Sequence, residues 1–227
     1  MKVSLVIFSL NEIDGMKAIM PQIKKEWYDE LIIVDGGSTD GTIEYAKENG
    51  YFIFIQKEKG TGAAFAEAME KVTGDIVVIF SPDGNSIPEA IPKLVDKMKE
   101  GYDMVIASRY LKGAKSYDDD RITSFGNWMF TTLINVLFGA HYTDSLVMYR
   151  AFKKNLVKDL NVYTKLPAWG SSMLIRATRK KLKVTEISAD EPKRIGGERK
   201  MQPLKNGLCE LTVILKEFFT RNQKNGK

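Results

Sequence analysis

The sequence predicts an α/β fold, a single Rossmann-like domain with a mostly parallel central sheet flanked by helices. Three observations carry this. Short β-rich runs alternate with helical patterns over about the first 110 residues, the signature of βαβ units. The runs are apolar on both faces, as strands covered by helices on each side are. Polar clusters then follow three of the runs, where a parallel sheet presents its ligand-binding edge.

The elements follow in order. "KVSLVIF" opens as a strand and is too short for the apolar region of a leader peptide. A helix is expected over 14–26, then the strand "ELIIVD", a helix over 41–49 and the strand "YFIFIQ". A helix over 62–72, the strand "DIVVIF", a helix over 88–100 and the strand "DMVIAS" complete the regular half. Beyond it come an acidic turn "YDDD", a long helix ending near 138, a strand "DSLVMYRAF", a helix over 170–182 and a strand "KVTEIS". A polar, basic loop "ADEPKRIGGERKMQP" leads to an amphipathic helix over 204–221. The expected organisation is one domain over 1–205, followed by a C-terminal amphipathic helix and tail over 206–227.

Composition narrows the partners. Among 227 residues, 34 Lys and Arg face 29 Asp and Glu, and the net charge of +5 suits anionic ligands. The basic residues do not cluster with aromatics on one element, which argues against nucleic acid. Cys209 is the sole cysteine, so no disulfide or cysteine metal site can form and a cytoplasmic setting is expected. "FGNWMFTTLINVLFGA" (125–140) is interrupted by Asn and Thr and falls short of the ~20 apolar residues of a membrane span. Its apolar positions have the spacing of a core helix, whereas the stretch 208–219 fits a core or a membrane interface equally well.

The carboxylates concentrate at strand ends. "SLNE" (9–12) follows the first strand, "VDGGSTDGT" (34–42) the second and "SPDGN" (81–85) the fourth. Asp35, on a last strand residue and followed by two glycines, fits a ligand contact, with its carboxylate accepting from a nucleobase N–H. Asp40 serves equally as a helix cap. "GTGAAFAEA" (60–68), followed by Asp83, has the order of a dinucleotide fingerprint and leaves an NAD-dependent oxidoreductase as an alternative. Phe65 stands where that fingerprint needs its third glycine. Asp144, ending "HYTD", fits a general base or a turn acid.

Taken in order, "FSLNE", "IIVDGGSTDGT", "EKGTGAAFAEAM", "GDIVVIFSPDGNSIPE", "MVIASRY", "DSLVMYRAF" and "RIGGERK" resemble the family 2 glycosyltransferases of the GT-A fold. The nearest branch looks like the polyprenyl-phosphate sugar synthases of the dolichol-phosphate mannose synthase type. The resemblance implies inverting transfer from a nucleotide-diphosphate sugar (GDP-mannose or a UDP-sugar), with Mg²⁺ or Mn²⁺ on the diphosphate and a polyprenyl phosphate acceptor at the membrane surface. It places Leu10, Glu12, Asp35, Asp40 and Lys59 near the nucleoside, and Ser81 and Asp83 in the region of the metal motif with Asn85 assisting. Arg109 and Arg150 would face acceptor phosphates. Arg194, Arg199 and Lys200 would lie on a loop hinged at Gly196 and Gly197, without partners until a diphosphate arrives. Two positions depart from the pattern: Ser81 stands where the family usually has a first Asp, and Met148 where this branch usually has Gly. They keep a non-catalytic nucleotide-sugar binder in view.

Overall fold

The computed structural model describes residues 1–162, 168–196 and 202–224, with the side chains of 221–224 excepted. Seven strands form one sheet: β1 (Val3–Ser9), β2 (Glu30–Asp35), β3 (Phe52–Ile55), β4 (Ile76–Phe80), β5 (Met104–Ser108), β6 (Arg150–Lys153) and β7 (Val184–Ser188). Their order is β3-β2-β1-β4-β6-β5-β7, and all pairings are parallel except those of β6, which runs antiparallel between β4 and β5. The helices are α1 (Ile13–Ile19), α2 (Thr42–Glu48), α3 (Thr61–Lys71), α4 (Ala90–Lys99), α5 (Arg121–Phe138), α6 (Asn155–Asp159), α7 (Trp169–Arg179) and α8 (Pro203–Lys224). None of the described helices is long and apolar enough to cross a membrane.

Alternate residues of the central strands feed two cores. Leu5, Ile7, Ile33, Val78 and Phe80 pack with Met16 of α1 and Ile91 and Leu94 of α4. On the opposite face Val6, Ile32, Val77 and Ile79 meet Phe65 of α3 and Trp169 and Met173 of α7. The Phe65 ring stacks on Trp169 at 4.0 Å, so the side chain that breaks the glycine fingerprint fills the core instead. A smaller core joins α5, α7 and α8 through Phe130, Ile134, Ile175 and Ile214. The boundary expected at 205 thus falls inside α8, whose buried residues belong to the same packed body.

Two elements differ from the sequence expectation. The helix expected over 14–26 ends at Ile19 and continues only as two 3₁₀ turns, because Pro21 lacks the N–H that a continuing helix needs. The strand expected over 144–152 pairs only from Arg150 onward, and the short α6 follows it. β6 enters the sheet against the direction of its neighbours, with Arg150 in register with both Ile79 and Ile106.

The chain builds β1, β2 and β3 outward and then returns to place β4 on the other side of β1. The loops after β1 and β4 therefore diverge, and their separation opens a crevice at the carboxyl edge of the sheet. Gly15 on α1 sets the width of that crevice. A Cβ there would run into the Pro82 carbonyl and stand 2.9 Å from the Asp83 Cα. Gly15→Ala should therefore destabilise the protein by about 1–3 kcal/mol, since the clash is with backbone that cannot rotate away. That loss exceeds the ~1 kcal/mol that alanine returns in helix propensity. A urea midpoint unchanged or raised in this variant would contradict the close approach.

Candidate functional site

The crevice carries acids because the strands feeding it cannot. β4 is buried along its length and β1 at every residue but Phe8, so charged side chains gather where the chain leaves the sheet. Glu12 follows β1 and leads into α1, Asp35 ends β2, and Asp83 lies three residues past β4. All three are buried.

Asp35 is the best-satisfied of them. Its Oδ1 accepts from the backbone N–H of Gly37 (2.8 Å) and Ser38 (2.6 Å), and its Oδ2 from the hydroxyls of Ser9 (2.8 Å) and Ser38 (2.7 Å). In this arrangement it holds the β1 and β2 loops in register. Asp40 does similar work, accepting from the N–H and hydroxyl of Thr42 and from the N–H of Ile13, so that it ties the starts of α1 and α2 together. Burial raises its pKa, but these hydrogen bonds outweigh that and leave it below the ordinary carboxylate value. Leu10 packs over Gly36, Lys59 is exposed before α3, and Ser81 is half-buried beyond β4.

Arg194 closes the crevice. Its guanidinium donates to Glu12 Oε1 at 2.9 Å and to Asp83 Oδ2 at 2.6 Å, bridging the loops on either side of the topological reversal. The neighbouring backbone reinforces it: Arg194 N–H donates to Asp118, and Ile195 N–H donates to the Asp83 carbonyl. Ile195 also covers Gly84, which adopts a left-handed φ of +89°, and a Cβ there would collide with the isoleucine. This corrects the expectation that Arg194 lacks a partner until a ligand arrives: the two acids it meets are 182 and 111 residues away in sequence. Arg199 and Lys200 lie outside the described residues.

A second charged cluster sits beyond β5. Arg109 donates to both oxygens of Asp144 (Nε to Oδ2 2.7 Å, Nη2 to Oδ1 3.0 Å) and to Glu191 at 3.1 Å, with Asp119 at 3.5 Å. Burial pulls the Arg109 pKa down, but the Asp144 and Glu191 charges more than offset it and hold the guanidinium above its ordinary value. Burial pushes the Glu191 carboxyl up, against the pull of Arg109. Asp144 has no exposed surface, and its backbone N–H is held by Glu186. This corrects its reading as a general base, because neither oxygen is open to a nucleophile's proton.

Arg150 is likewise not where the resemblance places it. It is 0 % exposed, and its guanidinium donates to the carbonyls of Val147, Ser145 and Gly170. The guanidinium packs closely on Gly170, where an added Cβ would sit 3.1–3.2 Å from it. Burial lowers its pKa to about 10, with Asp144 and Glu210 opposing, so it stays charged at neutral pH. Arg150 therefore anchors β6 to α7 and reaches no surface phosphate.

Residues 4–160 match the model of the family described as Glycosyl transferase family 2. The chain belongs to that family. As a family 2 glycosyltransferase it is 26 % identical over 220 residues to glycosyltransferase AglJ of Haloferax volcanii, covering 95 % of this chain and 70 % of that one. It is 28 % identical over 215 residues to a dolichyl-phosphate hexose transferase of the same organism, covering 94 % and 92 %. The dolichol-phosphate mannosyltransferase of Pyrococcus furiosus is 35 % identical over 123 residues, covering 51 % and 35 %. The fold is that of the GT-A glycosyltransferases. Glucosyl-3-phosphoglycerate synthase of Mycobacterium tuberculosis, solved with Mn²⁺, UDP and phosphoglyceric acid, superposes with a TM-score of 0.73 at 22 % identity, covering 96 % and 78 %. Family membership leaves the dinucleotide reading of 60–68 without support.

Glu191, Asp118 and Asp119 are charged partners at the site that sequence reasoning did not assign; only the acidic run "YDDD" hinted at two of them. The geometry separates two roles for Asp144. As the buried partner of Arg109, Asp144→Asn should lower the unfolding free energy by roughly 3 kcal/mol, because it removes one charge of a desolvated pair. Lost turnover with an unchanged denaturation curve would instead restore the catalytic reading.

Proposed function

We propose that this family 2 glycosyltransferase moves a hexose, with inversion, from a nucleotide-diphosphate sugar to a polyprenyl phosphate. One observation carries the reading: the Arg194 bridge between Glu12 and Asp83 sets a guanidinium against acids at the β1–β4 reversal, where α/β sheets bind nucleotides. The relatives named for dolichyl-phosphate chemistry support the acceptor class.

The donor set fits a divalent cation that arrives with its nucleotide. Asp83 already faces a positive charge, and Asn85 follows it in the same turn, its N–H donating to Asp83 Oδ1 at 3.2 Å. Among the described residues no group of three or more His, Cys, Asp or Glu could hold an ion unaided. Mg²⁺ needs only one or two carboxylates when phosphates and waters supply the rest. Asp83, with Asn85, would hold it, and when bound it would supply positive charge to the departing diphosphate. Arg194 would exchange its carboxylates for the same diphosphate, since a guanidinium pairs with phosphate as readily as with carboxylate. Asp35 and Asp40 would act by holding the loops on which the nucleoside rests.

A phosphate acceptor is already an anion and needs no strong base, in keeping with an Asp144 whose two oxygens are on Arg109. A sugar hydroxyl would need a base within hydrogen-bond reach. Incubation with UDP- and GDP-sugars, polyprenyl phosphate and Mn²⁺, followed by mass spectrometry, is expected to yield the lipid-phosphate sugar, and transfer only to hydroxyl acceptors would overturn the acceptor assignment. Asp83→Asn should abolish metal-dependent transfer at a temperature where circular dichroism shows the variant folded, and removing one of the two carboxylates on Arg194 should lower its melting temperature as well. Full activity in that variant, or wild-type activity indifferent to chelator, would remove the metal.

A further inference from the structure

Helices α5 and α8 pack side by side and run parallel: Gly207 faces the Phe130 ring, and further along Phe218 meets Phe138 edge-on at 6.4 Å. Their inner faces fill the core through Phe130, Ile134 and Ile214. Their outer faces are apolar as well. On α5, Ile122, Phe125, Trp128 and Val136 are exposed, Val136 at 75 %, and Phe125 lies 5.7 Å from Trp128. On α8, Leu204, Leu208, Leu211, Leu215 and Phe219 recur every three or four residues along one side, and all are exposed, Leu204 at 87 %.

Charge decides what this surface fits. Residues 121–138 contain Arg121 and no acid. The two acids of α8 turn inward: Glu217 is buried and bonded to Arg176 and Arg179, and Glu210 lies toward Ser171 and Arg150. Lys205 and Lys216 remain exposed beside the leucines. A second copy of the same face would set these cations against one another, which costs association energy. An anionic lipid surface meets them with phosphate and accepts the leucines and aromatics at its headgroup boundary.

We propose that the outer face of α5 and α8 docks the protein on an anionic bilayer surface, with Arg121, Lys205 and Lys216 on lipid phosphates. The surface begins at the rim of the site, because Asp120 caps α5 directly after Asp118 and Asp119, which contact Arg194 and Arg109. The proposal goes beyond the transferase reading, and vesicle flotation tests it without donor, acceptor or turnover.

The protein is expected to float with phosphatidylcholine–phosphatidylglycerol vesicles, less with phosphatidylcholine alone, and less again as salt rises. Leu208→Glu with Leu215→Glu, and separately Phe125→Glu with Val136→Glu, should weaken partitioning by roughly ten-fold or more, since the lost contacts are apolar. Because all four side chains are exposed, melting temperatures should hold; Lys205→Glu with Lys216→Glu, which leaves every apolar contact in place, should also weaken flotation. No flotation with the anionic vesicles, or flotation that none of the variants reduces, would overturn the proposal. A concentration-dependent dimer that the leucine variants abolish, without flotation, would assign the face to a second copy instead.

Discussion

A strand covered by helices on both faces can carry a charge only where it ends, and that constraint arranges the charged residues of this site. β4 and β5 are buried throughout and β1 at every residue but Phe8, and Glu12, Asp35, Asp83 and Arg109 all lie at or just beyond the last residues of strands. The reversal of strand order between β1 and β4 then separates two of those ends by a crevice. Burial there is tolerated because each acid has donors: Asp35 accepts three hydrogen bonds from Gly37 and Ser38 and one from Ser9 on β1, and Glu12 and Asp83 share Arg194.

The same economy governs the second half of the chain. β6 could enter the sheet antiparallel because Arg150, at its first residue, satisfies the carbonyls of the irregular 145–147 segment before it and of Gly170 at the start of α7. One guanidinium replaces ladder hydrogen bonds that the segment does not make. Arg109 does comparable work at the end of β5, where it joins Asp144, Asp119 and Glu191 from three separate stretches of chain.

What the sequence discloses and what it hides divide along this line. β1, β2, β4 and β5 were legible because their apolar runs are unbroken, and α2 to α4 because glycine turns precede α2 and α3 and Pro88 precedes α4. The edge that holds Glu12, Asp35 and Asp83 was legible from the strand ends alone. The partners were not: Arg194 reaches Asp83 across 111 residues and Arg109 reaches Glu191 across 82, and no local pattern records such a pairing. Arg150 and Asp144 went astray for the same reason. A charged residue in a family motif suggests a ligand, and only packing shows that its hydrogen-bonding capacity is already used.

The Arg194 bridge has a thermodynamic corollary. The site is not an empty anionic pocket awaiting a cation, but one already neutralised in part by a tethered side chain whose local concentration no salt can dilute. On the proposed reading a bare metal ion would have to compete with an intramolecular rival for Asp83, whereas a metal–nucleotide complex would offer the arginine a new anion in exchange. On that reading the ion and the nucleotide would thereby be coupled, each making entry easier for the other, and binding would be an exchange of partners at an unchanged charge count.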